Sequence, residues 1–499
     1  MEKLAGLDAA FVYLESEAMP LHTGGMLIYD PSTAPGGRVT YQQILDNLSS
    51  RLGSARVLRR RLARVPLDLD NPYWVEDRPV DLQYHISHLA LPEPADWREF
   101  CAQIARFLER RMDMSRPLWE MLIIEGLRNV DGLPPNAFAL VTKMHHAAVD
   151  GVSGMELMSV IHDQEPSPPQ RRPTSPDQTL ESPSTVGMVV RAAPGVVRHP
   201  WRILNVVAGL GPSLVPALAR RALGNSATVD VGPSQKTPVT RFNAPVGARR
   251  TVGGVCLDLA DIKTIKNSVP GATVNDAVMA LIGGAVRHYL TALNELPDES
   301  LIAGMPISLR GGDGSDGAGN VLTITAIGIG SDIADPLERL RQIQRAASVK
   351  KSVREGVGAK RLVEIADAVP AGVMGLAGRL LSQVDLSNRL ALLNLAVTNV
   401  PGPSTPLYMT GAKVVALYGF ALHVSGLGLM NMVCSYCGTL TIGFQSGVEM
   451  IPDPERYEDC LRRSLGELLD AATTSPRPRG SSAIRKASGA RRPAADRNA

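Results

Sequence analysis

The stretch Asn136-Ala-Phe-Ala-Leu-Val-Thr-Lys-Met144, followed at once by His145-His146-Ala147-Ala148-Val149-Asp150-Gly151, decides how this chain is read. Its first part is a short run dense in apolar residues, the pattern of a buried strand. Its second part sets two adjacent histidines at the end of that strand. Beyond them, Ser153-Gly-Met-Glu156 has capping-box spacing ahead of Leu157-Met158-Ser159-Val160-Ile161, so a helix begins there.

Neighbours on a strand face opposite ways, so only one of His145 and His146 can look into a given pocket. A histidine with a free pKa of about 6.5 can take a proton from a hydroxyl near neutral pH, which is the step that acyl transfer to an alcohol requires. A metal shared by two histidines prefers a spacing that puts both on one face, and no such companion occurs, so no metal is expected. Asp150, in a turn closed by Gly151, could orient a histidine, pair with an arginine or cap the following helix.

Outward from this point, residues 1–163 alternate helical and strand-like segments. Gln164 to Ser184 is rich in Pro, Ser, Gln and Arg, and Thr185 to Gly224 mixes apolar and basic residues in an amphipathic helical pattern. Residues 164–239 therefore read as linker and crossover. Strands are expected at Arg250 to Leu259, Leu301 to Leu309 and Leu322 to Ile329, with a helix from Val274 to Leu290. Interleaved strands and helices on both sides of the linker make the chain α/β, with a second unit over residues 240–475. A length of 499 residues also exceeds what one hydrophobic core usually serves.

Composition narrows the function classes. With 44% apolar and 20% charged residues the chain is too apolar to be disordered. The tail 476–499, where Arg477, Arg479, Arg485, Lys486, Arg491, Arg492 and Arg497 face only Asp496, carries more than the whole net charge of +3. The folded part is then near neutral, which argues against a nucleic-acid partner, while a basic disordered tail could be drawn to anionic lipid or serve only to solubilise the chain. Five scattered cysteines fit a reducing cytosol, and the N-terminus shows no secretory pattern. The most apolar window, Ile203 to Ala219, is broken by Asn205, Pro212 and Pro216, so membrane contact is expected to be peripheral only.

Several signals are set aside. Gly311 to Gly319 is glycine-rich but lacks a phosphate-loop lysine and carries Asp313 and Asp316, so it reads as a surface loop. Cys434-Ser-Tyr-Cys437 reads as strand, where positions three apart face opposite ways, and zinc is not expected. Arg56, Arg59, Arg60, Arg61 and Arg64 read as one helix with a solvated face that could meet phosphates or headgroups.

The ordered set of motifs resembles the bacterial wax ester synthase/diacylglycerol acyltransferases. The resemblance runs through Leu7-Asp8-Ala9-Ala10-Phe11, Pro20-Leu21-His22, Arg116-Pro117-Leu118-Trp119-Glu120, the complete HHxxxDG segment His145 to Gly151, and Thr240-Arg241-Phe242-Asn243. It continues through Val274-Asn275-Asp276-Ala277, Pro306-Ile307-Ser308-Leu309-Arg310, Asn320 and Thr398-Asn399-Val400-Pro401-Gly402-Pro403. It implies two chloramphenicol acetyltransferase-like domains with mixed sheets, joined by a linker, with an active-site tunnel between them. It also implies direct transfer of a long acyl chain from acyl-CoA, a co-substrate rather than a bound cofactor, to diacylglycerol or a long-chain alcohol. A carrier-bound acyl group of the polyketide or peptide type, or a lipid-binding protein without turnover, are the other readings. The setting would be cytoplasmic, at the inner membrane or a lipid inclusion.

On the same resemblance His146 is the general base and His145 a positional neighbour. Asp150 becomes structural, supported by Gly151 and held by an arginine for which Arg310 is the candidate. Thr273 or Asn275 can simply cap the helix that follows; alternatively Asn275 is a candidate for oxyanion stabilisation or positioning and Asp276 for support, since helix N-terminal groups suit a developing negative charge. Pro117, Leu118 and Trp119 would shape the channel by packing. One departure is Gly447, which stands where the family often carries an acidic residue and bears on substrate preference.

Overall fold

The computed structural model describes residues 2–51, 55–66, 70–76, 80–148, 153–167, 237–308, 322–353 and 393–474. Asp150, Gly151, Arg310, Asn320, the glycine-rich loop, the 185–224 stretch and the tail 476–499 lie outside them. In chain order the first half holds β1 (Glu2–Lys3), α1 (Gly6–Leu14), β2 (His22–Asp30), α2 (Tyr41–Arg51), β3 (Arg60–Ala63) and β4 (Tyr73–Glu76). There follow α3 (Leu82–His85), β5 (Ile86–Ala90), α4 (Trp97–Glu109), β6 (Trp119–Leu127), β7 (Ala137–His145) and α5 (Ser153–Ile161). The second half holds β8 (Arg250–Asp258), α6 (Leu259–Asn267), α7 (Val274–Thr291), β9 (Ile302–Ser308), β10 (Leu322–Gly328) and α8 (Pro336–Val353). It ends with β11 (Leu395–Pro401), β12 (Tyr408–Met409), β13 (Ala412–Phe420), β14 (Leu429–Tyr436), β15 (Thr439–Gly447) and α9 (Pro454–Thr474).

Two six-stranded sheets carry the architecture, in the orders β12-β13-β2-β7-β6-β5 and β10-β9-β11-β14-β15-β8. Both are mixed: β5 runs parallel to β6 in the first, and β11 parallel to β9 and β14 in the second. A small sheet, β1-β4-β3, stands apart and packs with α1 around Leu4, Val12, Leu62, Trp74 and Leu118.

Strand β7 is buried at all nine positions because both faces of its sheet are covered. Phe138, Leu140 and Met144 enter one core with Trp119, Ile123 and Leu157. Ala137, Ala139 and Val141 enter another with Phe100, Ile104 and Leu108 of α4. The central helix of the second half, α7, starts at a capping box in which Thr273 Oγ1 accepts the Asp276 N–H and the Asp276 carboxylate accepts the Thr273 N–H.

Strands β12 and β13 lie within the 240–475 span but belong to the first sheet, where β13 runs antiparallel to β2 from Lys413–Asp30 to Phe420–Gly24. The chain thus ties the halves together by a strand. The second sheet comes so close to β13 that a Cβ on Gly443 would sit 2.4 Å from the Gly419 carbonyl oxygen, so only glycine permits this approach.

The arginine run does not form the helix read from its spacing. Arg56 opens a single 3-10 turn and Arg60 and Arg61 lie on β3, paired to Glu76 and Val75 of β4. Arg59 bonds Glu76 at 3.3 Å and Arg60 lies 4.5 Å over the Trp74 ring. Pairing with β4 outweighs a local helical preference that four-residue spacing alone suggested.

Candidate active site

Strand β7 ends at His145, and His146 opens a 3-10 turn through Ala148 instead of continuing the strand. The two rings therefore part by a change of backbone as well as by strand alternation. His145 is fully buried, its N–H bonded to the Leu118 carbonyl at 3.1 Å and its Nδ1 accepting the Ala147 N–H at 3.1 Å. Nδ1 is therefore unprotonated and the ring proton sits on Nε2, 3.9 Å from Glu15 Oε1. Burial, then His146 and Arg111, push the His145 pKa down to about 3.

His146 is half-buried and differently held. Its N–H bonds the Leu21 carbonyl at 2.9 Å, and its ring lies 4.3 Å from the Phe11 ring at a 40° tilt. Nδ1 is buried without a hydrogen-bond partner among the described residues. Burial lowers the pKa to about 4, opposed in part by the residue's own main-chain carbonyl. At neutral pH the ring is uncharged and able to accept a proton.

Pro117, Leu118 and Trp119 lie at the start of β6. Leu118 supplies the carbonyl that holds His145, while Trp119 is buried, donates Nε1–H to Leu58 O at 2.9 Å and stacks on His85 at 4.4 Å. Two further motifs meet: Asn399 on β11 donates its side-chain amide to Asn275 Oδ1 at the start of α7. Asn275 is exposed, whereas Asp276 is buried with its carboxylate committed to the helix cap. At Gly447 a Cβ would lie 3.1 Å from the carboxylate of Glu449.

Two buried ionic side chains that motif reading passed over lie close to the histidine turn. Lys143 is fully buried two residues before His145, and its Nζ donates to Phe107 O at 3.1 Å, Arg110 O at 3.0 Å and Glu120 Oε2 at 2.8 Å. It ties β7 to the C-terminal end of α4, where a cation suits the helix dipole. A lysine inside an otherwise apolar strand was the available signal. Lys143→Met leaves those carbonyls and a mostly buried carboxylate unpaired, and is expected to cost about 3 kcal/mol in a urea titration. An unchanged midpoint would show the ammonium to be dispensable. Glu15, with its wholly buried side chain, carries no motif at all.

Residues 4–278 match the wax ester synthase/diacylglycerol acyltransferase catalytic domain, and residues 318–469 match the C-terminal domain of the same family. A Mycobacterium tuberculosis protein provisionally named a diacylglycerol O-acyltransferase is 32% identical over 477 residues, covering 95% of this chain and 92% of that protein. The O-acyltransferase WSD of Acinetobacter baylyi is 30% identical, covering 89% and 92%. Among solved structures, the wax ester synthase/diacylglycerol acyltransferase of Marinobacter aquaeolei superposes with a TM-score of 0.65 at 25% identity, over 95% of this chain and 100% of that one. The trichothecene 15-O-acetyltransferase of Fusarium sporotrichioides shares the fold at a TM-score of 0.56 and 13% identity, over 94% of each chain.

Proposed function

We infer the reaction from one premise: the chain belongs to the wax ester synthase/diacylglycerol acyltransferase family, and it is an acyltransferase. We propose that it moves a long-chain acyl group from acyl-CoA to the free hydroxyl of diacylglycerol, giving triacylglycerol, with His146 as the general base. The observation that carries this is the uncharged, half-buried His146 ring at the end of β7. Its Nδ1 is enclosed, so Nε2 is the nitrogen left to take a proton from outside the core.

In the proposed step His146 removes the hydroxyl proton as the oxygen attacks the thioester carbon. The tetrahedral oxyanion collapses, the C–S bond breaks, and the imidazolium returns its proton to the departing thiolate. Asn275 and Asn399, already hydrogen-bonded to each other, would position the reactants, and Pro117, Leu118 and Trp119 would wall an acyl channel between the halves. His145 would serve as a support, and Asp150 with Gly151 and Arg310 would fix the turn. Acceptor and product are lipids, so the reaction would take place at a membrane or lipid-inclusion surface. Among the described residues no helix is long and apolar enough to cross a membrane.

Diacylglycerol is placed first because several relatives carry that acceptor in their names, and a long-chain alcohol giving wax ester is the second reading. Labelled palmitoyl-CoA offered with equal diacylglycerol and hexadecanol separates them. Triacylglycerol is the expected main product, with free thiol released in step. Wax ester alone would reassign the acceptor. Turnover only with a carrier-bound acyl donor would remove coenzyme A from the proposal.

A further inference from the structure

Glu15 follows α1, and its two carboxylate oxygens do different things. Oε2 takes the guanidinium of Arg111, at 3.2 Å from Nε and 2.9 Å from Nη2. Oε1 turns inward, accepting the Leu21 N–H at 3.4 Å and facing His145 Nε2 at 3.9 Å. Both of its inward neighbours lead to the same turn. The Leu21 carbonyl holds the N–H of His146, and His145 Nδ1 holds the N–H of Ala147, the next residue.

We propose that Glu15 is a positioning residue for acyl transfer, bracing the His146 turn from both sides through Leu21 and His145. The inference rests on His146 being the base. His145 Nε2 has no hydrogen-bond partner among the described residues, and Glu15 Oε1 faces it across 3.9 Å, a through-space contact that favours the proton on Nε2; that tautomer alone leaves Nδ1 free to accept from Ala147. A carboxylate oxygen at this spot favours it; a donor there would compete. The partner on the other side, Arg111, is 41% exposed, so water can solvate it if the ion pair is lost.

The ion pair and the bracing make opposite demands on a substitute. Glu15→Gln keeps the reach and one acceptor oxygen but loses the charge, whereas Glu15→Asp keeps the charge and loses the reach. Glu15→Ala loses both. Because misplacing a catalytic group by about 1 Å can cost about a hundredfold, Glu15→Ala is expected to lower kcat roughly 10- to 100-fold with KM for acyl-CoA within about twofold. Glu15→Gln should exceed Glu15→Asp in kcat by about fivefold or more, a comparison that stands even if the alanine variant fails to fold.

The experiment is steady-state kinetics of the full chain and these variants with palmitoyl-CoA and diacylglycerol, corrected for folded fraction by near-ultraviolet circular dichroism, beside His146→Ala. Aspartate equal to or better than glutamine, or native kcat in a folded Glu15→Ala, overturns the proposal and leaves Glu15 as a plain ion-pair partner. Normal turnover by His146→Ala would instead overturn the assignment of the base, whatever the Glu15 variants do.

Discussion

His146→Ala is expected to fold and to release thiol from palmitoyl-CoA about a thousandfold more slowly than the native chain, with ester product falling in step. General-base catalysis is worth about 10²- to 10⁴-fold, and removing the imidazole forfeits that range because water must then take the proton. The fold should survive because the ring is half-buried and its one aromatic contact among the described residues is with Phe11, while the main-chain N–H that anchors the turn to Leu21 is kept. His145→Ala is the contrasting variant. It deletes the acceptor for the Ala147 N–H inside a closed core, so stability should fall together with rate. The loss in His146→Ala should appear in kcat more than in KM, since a proton taken only in the transition state contributes nothing to ground-state binding. Turnover within tenfold of native would place the base elsewhere.

How much of this was legible depends on how local each cause is. The strand Ala137–His145 and the helix Val274–Thr291 were readable because their apolar patterning is written within the segment, while the reciprocal Thr273–Asp276 cap became visible only in the structure. That β13 would join the first sheet was not, because its partner β2 lies almost four hundred residues away and Ala412–Phe420 suits either sheet. The arginines misled because 56, 60 and 64 mimic a helical face, while the deciding contacts, Glu76 and Trp74, come from a separate strand. At the site, the histidine pair was visible as a motif, and the meeting of Asn275 with Asn399 joined two motifs that sequence left apart. Glu15 and Lys143 were missed for one reason: each is a single ionic side chain whose meaning appears only when its burial and partners are known.

The second large effect is acid unfolding. His22, His145 and His423 have pKa values pushed down to about 3, and His146 and His162 to about 4, in each case first by burial. An unfolded chain would hold these rings at about 6.5, so below that pH the unfolded state binds protons that the folded state refuses. The stability they contribute is present above pH 6.5 and is lost as pH falls toward 4. At pH 5 each ring should cost about 2 kcal/mol and the five about 10 kcal/mol, which is comparable with the whole stability of a typical domain. Glu458, whose burial raises its pKa, works in the opposite direction. The urea midpoint should therefore drop steeply between pH 6.5 and 5, with proton uptake on unfolding rising from about two to three at pH 6.5 to about four to five at pH 5. Replacing His162, which bonds Tyr29 and the Met158 carbonyl, with glutamine should make that slope shallower by about one proton. A midpoint that stays flat from pH 7 to 5 would mean that these rings are hydrated in the native protein. On the expected course the enzyme unfolds before His146 itself titrates, so the acid limb of its activity profile reports loss of the fold and not protonation of the base.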